Sequence, residues 1–202
     1  HTPDALTGAV LAEAEAFFAG YDAVWTVIFA DRYMPHGEAL FSERRYSPRW
    51  HSPLMVLDDL RLAPGEPPAF QPGVVRASTP EHLDDIIRVL RDAFGTSSTI
   101  SRRVVRDEHL TDPAAGVWHY LAYNGRTATA CAMVALHASA MATVWNVGTR
   151  PFYRRRGVAT AIMHAIQGDL HAAGLEACAL LSSDEGVALY ERLGYRTLAQ
   201  VY

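Results

Sequence analysis

Apolar residues recur along this chain in two rhythms, a spacing of three to four residues and short unbroken runs, and the order in which they alternate predicts a sheet with helices laid on it. Leu6, Val10, Ala14, Phe17 and Phe18 follow the helical spacing behind Thr2-Pro3, a capping residue with proline at the first helical position, and Gly20 stops the run. Residues 23–30 are short, β-branched and aromatic and predict a buried strand. Residues 54–57 predict a weaker one, with a partly helical stretch between them. Strand then helix appear again in Val74-Val75-Arg76, Thr79-Pro80 and the stripe Leu83, Ile86, Ile87, Leu90 and Phe94, which Gly95 closes. Residues 118–123 and 127–136 predict an antiparallel pair around Asn124-Gly125, read as a tight turn with both central residues at positive φ. A strand at 142–147, a helix at 158–173 ended by Gly174, a strand at 177–181, a helix at 186–193 and a strand at 196–201 complete the pattern.

Two stretches break the rhythm. Residues 63–73 hold Pro64, Pro67, Pro68 and Pro72 with Gly65 and Gly73, a density that no helix or central strand tolerates. They predict a linker dividing a small α/β region, 1–62, from a larger domain, 74–202. The polar run 96–113, with Arg102, Arg103, Arg106, Asp107 and Glu108, reads as a short helix or surface loop and as a lid on the substrate side.

Composition narrows the function classes. With 202 residues, half of them hydrophobic and 20% charged, the chain can bury a full-sized core. A net charge of -4 gives no overall attraction to nucleic acid or to anionic membrane, so neither is an expected partner and any basic surface must be local, as at Arg150 and Arg154 to Arg156. No apolar run approaches the roughly 20 residues needed to span a bilayer, and no secretory pattern opens the chain, so a cytoplasmic location is expected. Cys131 and Cys178 sit in apolar, strand-like runs without metal-ligand spacing; they read as packing residues, and no metal is expected.

The strongest chemical signal is a strand, then Gly148-Thr149-Arg150-Pro151-Phe152-Tyr153, then Arg154-Arg155-Arg156-Gly157-Val158-Ala159-Thr160, then an amphipathic helix. Glycine at a helix entry lets the backbone pass close to a ligand, and the first-turn N–H groups have no partner inside the helix. Those amides can receive a pyrophosphate, Ala159 keeps the approach open, and the arginines add charge-assisted hydrogen bonds. Val158, Ile162, Ile166, Leu170 and Ala173 form the stripe that holds this helix to a sheet.

That turn, followed by a strand and by Ala188-Leu189-Tyr190-Glu191-Arg192-Leu193-Gly194-Tyr195, resembles the GNAT acetyltransferases over residues 74–202. The resemblance implies the GNAT acyl-CoA N-acyltransferase fold, an α/β (α+β) architecture with a mixed, mostly antiparallel sheet flanked by helices on both faces. It implies acetyl-CoA as co-substrate, with main-chain groups of Val147, Gly148 and Thr149 along the pantetheine arm. Arg154, Arg155, Arg156, Gly157, Val158, Ala159 and Thr160 would surround the pyrophosphate. Tyr190 matches the family tyrosine that gives a proton to the departing thiolate, and the Val147 N–H is the expected polariser of the thioester carbonyl. An asparagine common in the family seven positions before the tyrosine is Ser183 here. Residues 1–62 look like the reduced extra half that precedes some GNAT domains, with Trp25, Tyr33, Phe41, Tyr46 and Trp50 either packing or walling an acceptor cleft.

A general base is harder to find. The strand before the turn carries Asn146 where many relatives have a glutamate, and His119 and His137 are the titratable candidates on neighbouring strands. Water, or an amine arriving deprotonated, is the alternative. The expected activity is acetyl transfer to a primary amine of a small molecule or protein; the competing reading is a catalytically silent acyl-CoA-binding module whose N-terminal region recruits a partner. The identity of the amine and the oligomeric state are not encoded legibly.

Overall fold

The computed structural model describes residues 8–19, 27–31, 34, 36–47, 50–62 and 72–202. The first elements are α1 (Gly8–Phe18), α2 (Gly37–Glu43), β1 (Ser52–Leu57), β2 (Gly73–Arg76) and α3 (Pro80–Phe94). Two short helices follow, α4 (Ser98–Val104) and α5 (Glu108–Thr111), where a short helix or loop was expected, and then β3 (Val117–Asn124), β4 (Thr127–His137) and β5 (Met141–Thr149). The chain ends with α6 (Val158–Ala172), β6 (Ala177–Leu181), α7 (Val187–Arg192) and β7 (Arg196–Val201).

Local chemistry accounts for the elements that position the site. Thr79 accepts a hydrogen bond from the His82 N–H, Pro80 occupies the first turn, and Gly95 closes α3 at φ 68. The α6 stripe is buried from Val158 through Ile162 and Ile166 to Leu170; Met163 joins it, whereas Ala173 lies exposed beyond the helix end. Each such aliphatic side chain contributes about 1.5–3 kcal/mol when removed from water. The β3–β4 hairpin differs from its reading: Asn124 is the last paired strand residue, opposite Thr127, and only Gly125 has positive φ (58). The two-residue loop is therefore Gly125-Arg126, with the single positive φ at its first position, as a type II′ turn demands.

All seven strands join one mixed, mostly antiparallel sheet in the order β2-β3-β4-β5-β6-β1-β7, with parallel pairing between β5 and β6. Helices lie on both faces, as expected. One core gathers α6, Tyr190, Leu193 and Tyr195 against Met55, Val134 and Leu180, and the other packs α3 and Val105 against Leu121 and Cys131. The phenol of Tyr120 donates to Asp169 on α6 at 2.8 Å, and that of Tyr123 to Asp85 on α3 at 2.6 Å, so β3 is tied to a helix on each side.

The region before the prolines departs most from expectation. Residues 52–57 were grouped with a separate N-terminal part, yet β1 lies inside the sheet, antiparallel to β6 on one edge (Met55 opposite Leu180) and to β7 on the other (Met55 opposite Thr197). Of the proline-rich stretch, 63–71 fall outside the described residues, and Gly73 already belongs to β2. In α1, Leu11 is the buried residue, whereas Val10 and Phe17 are exposed, so the buried face is turned by one position; Thr2, Pro3 and Leu6 lie outside the described residues. The strand expected at 23–30 is described only from 27, where Ile28 is exposed and Ala30 makes a single antiparallel bridge to Val201. Phe41 packs between Phe29 and Tyr46, Trp50 is partly exposed, and Trp25 and Tyr33 lie outside the described residues.

Because the Met55 side chain is fully buried in the core, Met55→Ala is expected to cost about 2–4 kcal/mol in urea unfolding. A chain cut to residues 72–202 is expected to lose its cooperative transition, measured by circular dichroism on heating.

Candidate active site

Pairing of β5 with β6 begins at Met141 opposite Ala177 and stops at Val144 opposite Leu180; β5 continues to Thr149 without that partner. The two strands part there, and the gap widens into a groove of about 860 Å3. A bulge shapes one wall. Met133 pairs with Trp145 and Cys131 with Gly148, so Asn146 and Val147 together face a single β4 residue, and Asn146 takes φ 54. The Asn146 carbonyl receives the Cys131 thiol at 3.7 Å. Val147, Gly148 and Thr149 all line the groove. A Cβ at Gly148 would lie 2.6 Å from the Phe94 ring and 3.1 Å from Ala93 at the end of α3, so a larger residue there would have to displace the exposed Phe94 ring.

At the far end the groove meets the N-terminus of α6, where Arg154, Arg155, Gly157, Val158, Ala159 and Thr160 contribute to the wall. Gly157 sits in the left-handed region at φ 78 and Arg155 at φ 57, and no side chain caps the helix. Ala161 is the first residue whose N–H bonds back, to Gly157. The amides of Val158, Ala159 and Thr160 therefore stand at the positive end of a 15-residue helix without intrahelical partners. Unpartnered N–H groups at a helix N-terminus, beside left-handed residues, form a general anion cradle.

The three arginines of the turn separate into different roles. Arg154 donates to the Thr149 and Ala93 carbonyls, both at 3.2 Å, and so ties the end of β5 to the end of α3. Among the described residues no carboxylate pairs with Arg155 or Arg156. Arg156 does not line the groove; its guanidinium lies 4.8 Å from the centre of the Phe152 ring. Arg150 is held by Asp92 at 2.7 Å.

Across the groove, Ser183, Glu185, Gly186, Leu189 and Arg192 form the second wall. Gly186, Leu189 and Arg192 recur every three residues along one side of α7, which turns Tyr190 and Leu193 inward to the core. Tyr190 is 7% exposed, and its ring packs edge-on against Tyr195. Tyr190 is not among the residues that line the groove; it lies behind Gly186, where a Cβ would come within 3.1 Å of Tyr190 Cε2. Burial pushes its phenol up to about 12. Ala93, Phe94, Tyr153, Glu185, Gly186, Leu189 and Arg192 line the groove without having been expected there. The three-residue spacing on α7 was a usable signal for some of them; the approach of α3 to β5 had none.

Neither candidate histidine lines the groove. His137 is exposed and bonds Thr143 Oγ1 at 2.9 Å. His119 is 2% exposed and its Nε2 lies 2.9 Å from His109 Nδ1 on α5. Arg106 donates to His109 Nε2, which assigns the shared proton to His109 Nδ1 and leaves the His119 Nδ1–H buried without a partner. Desolvation, then the neighbouring His109, pull His119 down to about 4. Cys131 and Cys178 are buried and unbonded to each other, and burial pushes both thiols up. Among the described residues no group of three metal-ligating side chains occurs, and no helix is long and apolar enough to cross a membrane.

The folded value of His119 lies below its ordinary 6.5, so between the two the unfolded chain binds a proton that the folded chain excludes. Its contribution is complete above pH 6.5 and falls as pH drops toward 4. Stability from urea unfolding is expected to drop by about 2 kcal/mol between pH 7.5 and 5 through this residue, and His119→Leu should flatten that slope.

Residues 74–198 match the family model described as an acetyltransferase (GNAT) domain. No curated protein matches the chain in sequence. Among solved structures, it is similar to a GCN5-related N-acetyltransferase from Kribbella flavida, with 21% identity, a TM-score of 0.71 and coverage of 95% of this chain and 71% of that one. A GCN5-related N-acetyltransferase from Sphaerobacter thermophilus gives 19% identity and a TM-score of 0.64, over 84% of this chain and 55% of that one. The PaiA N-acetyltransferase of Thermoplasma acidophilum, solved in complex with coenzyme A, gives 12% identity and a TM-score of 0.51, over 64% of this chain and 98% of that one.

Proposed function

This chain belongs to the GNAT acetyltransferase family and is an acyltransferase that draws on acyl-CoA, and we propose that it moves acetyl to a primary amine of a small molecule or peptide. The reading rests above all on the groove where β5 leaves β6, which runs from the bulge at Asn146 to the unpartnered amides of α6.

Within that reading, the amides around Gly157 to Thr160 hold the pyrophosphate and Arg155 adds charge, while Arg154 shapes the turn by tying Thr149 to Ala93. Main-chain groups of Val147, Gly148 and Thr149 line the pantetheine arm, and Ser183 faces it from the opposite wall. The Val147 N–H polarises the thioester carbonyl as the amine attacks. Tyr190, with its phenol pushed up to about 12, stays protonated at neutral pH and is suited to donate to the departing sulfur past Gly186. The groove holds no histidine and one carboxylate, the exposed Glu185. The amine therefore arrives neutral or passes its proton to water.

Thiol release from acetyl-CoA with a panel of primary amines tests this directly. Tyr190→Phe is expected to lower kcat by about 10²-fold while the KM for acetyl-CoA moves little, because the phenol acts on the leaving group rather than on binding. Binding of CoA without turnover of any amine would favour the silent module instead. With no enzyme base, the rate should rise with pH along each amine's own titration, and no inflection common to all amines should appear between about pH 6 and 8.

A further inference from the structure

Two exposed aromatic side chains flank the bulge where β5 leaves β6, and both stand on the face of the sheet away from α6. Val144 packs into the core beneath α6, so alternation along β5 sends Thr143 and Trp145 to the opposite face, the one that carries α3. Their side chains meet there: the Trp145 Nε1–H donates to Thr143 Oγ1 at 2.8 Å. Gly148, beyond the bulge, points the same way, since a Cβ built on it would run into Phe94 and Ala93 at the end of α3. Trp145 is 45% exposed and Phe94 52%. A strand rises about 3.3 Å per residue, so Trp145 and the glycine under Phe94 lie within about 10 Å of each other along β5.

Trp145 is anchored rather than loose. Thr143 Oγ1 accepts from the indole and lies 2.9 Å from His137 Nε2, so its single proton goes to His137 and the three side chains form one chain of hydrogen bonds. The indole is thus held by its N–H edge while much of its ring stays open to solvent. The wall around it is uncharged. Residues 127–149, which make up β4, β5 and the turn between them, contain no Asp, Glu, Lys or Arg, and β6 contains none either. A polycationic acceptor would find no carboxylate on these strands, whereas a flat apolar group gains by leaving water for the ring faces.

The two faces of the sheet divide the reactants. With CoA phosphates at the N-terminus of α6, the co-substrate arrives from the α6 side, and a thioester at the gap beside Val147 leaves its other side open toward α3. Phe94 lines the groove there, and Trp145 lies just beyond Val147, the first β5 residue of its wall. Resting on the acetyl-transfer reading, we propose that Trp145 and Phe94 select the acceptor, and that it is a primary amine carried a short way from an uncharged aromatic ring. The ring packs against Trp145 and the nitrogen reaches the thioester carbonyl. The N–C bond forms as the C–S bond breaks; the amine gives one proton to water, and the thiolate takes one from Tyr190, which recovers it from solvent.

Initial rates of thiol release from acetyl-CoA by the full chain test it, with phenethylamine, butylamine, ethanolamine and putrescine as acceptors and folding checked by circular dichroism. Phenethylamine is expected to exceed each of the others in kcat/KM by about tenfold. Trp145→Ala should cut that advantage to about twofold by raising the KM for phenethylamine, with kcat/KM for putrescine and the KM for acetyl-CoA unchanged. Trp145→Phe should restore most of it. Phenethylamine no better than the other three, or an advantage that survives Trp145→Ala, overturns the aromatic acceptor while acetyl transfer to amines stands. Binding of CoA by folded wild type with no turnover of any amine overturns both.

Discussion

The separation of β5 from β6 is the constraint on which the rest of the structure turns. Two parallel strands that hydrogen-bond from Met141/Ala177 to Val144/Leu180 and then diverge leave main-chain donors and acceptors without a strand partner. Each strand keeps a partner on its other edge, β5 with β4 and β6 with β1, and the groups that face the gap open onto the groove, where water can satisfy them. The bulge at Asn146 and Val147 interrupts the β4–β5 register at the point where the gap opens. The site is thus built first from peptide groups, and the side chains around it are small where space is needed: Gly148 under Phe94, and Gly186 against Tyr190.

That arrangement makes the N-terminal part of the chain structural for the site. With β1 between β6 and β7, the wall that carries Ser183 and α7 rests on a strand contributed from the far side of the proline-rich stretch. Tyr120 and Tyr123 do the equivalent work on the other side, binding the sheet to α6 and α3 through Asp169 and Asp85. A helix fixed in this way presents its unpartnered amides in one orientation, which gives an anion site its directionality without reorganisation.

Charge is allotted with the same division. Arg150 and Arg154 are bound by Asp92 and by main-chain carbonyls and hold the loop between β5 and α6, while Arg155 and Arg156 have no carboxylate partner among the described residues. Four arginines that look equivalent in composition therefore split into two that build the turn and two without a carboxylate partner among the described residues.

The amino-acid sequence alone determined what short-range chemistry decides. The Thr79-Pro80 start and Gly95 end of α3, the buried stripe of α6, the left-handed Gly157 and the antiparallel pair around Gly125 follow from a few neighbouring residues. Tertiary structure alone decided which edges meet. The run 54–57 is apolar enough to pair with several strands, and nothing local assigns it to the slot between β6 and β7. Register on β4 placed the bulge at Asn146, and the end of α3 brought Ala93 and Phe94 to the groove beside Gly148. Dihedral preferences and caps act over one turn of chain, whereas strand order and side-chain partners are set by contacts between residues far apart in sequence, whose energies depend on the whole packed sheet.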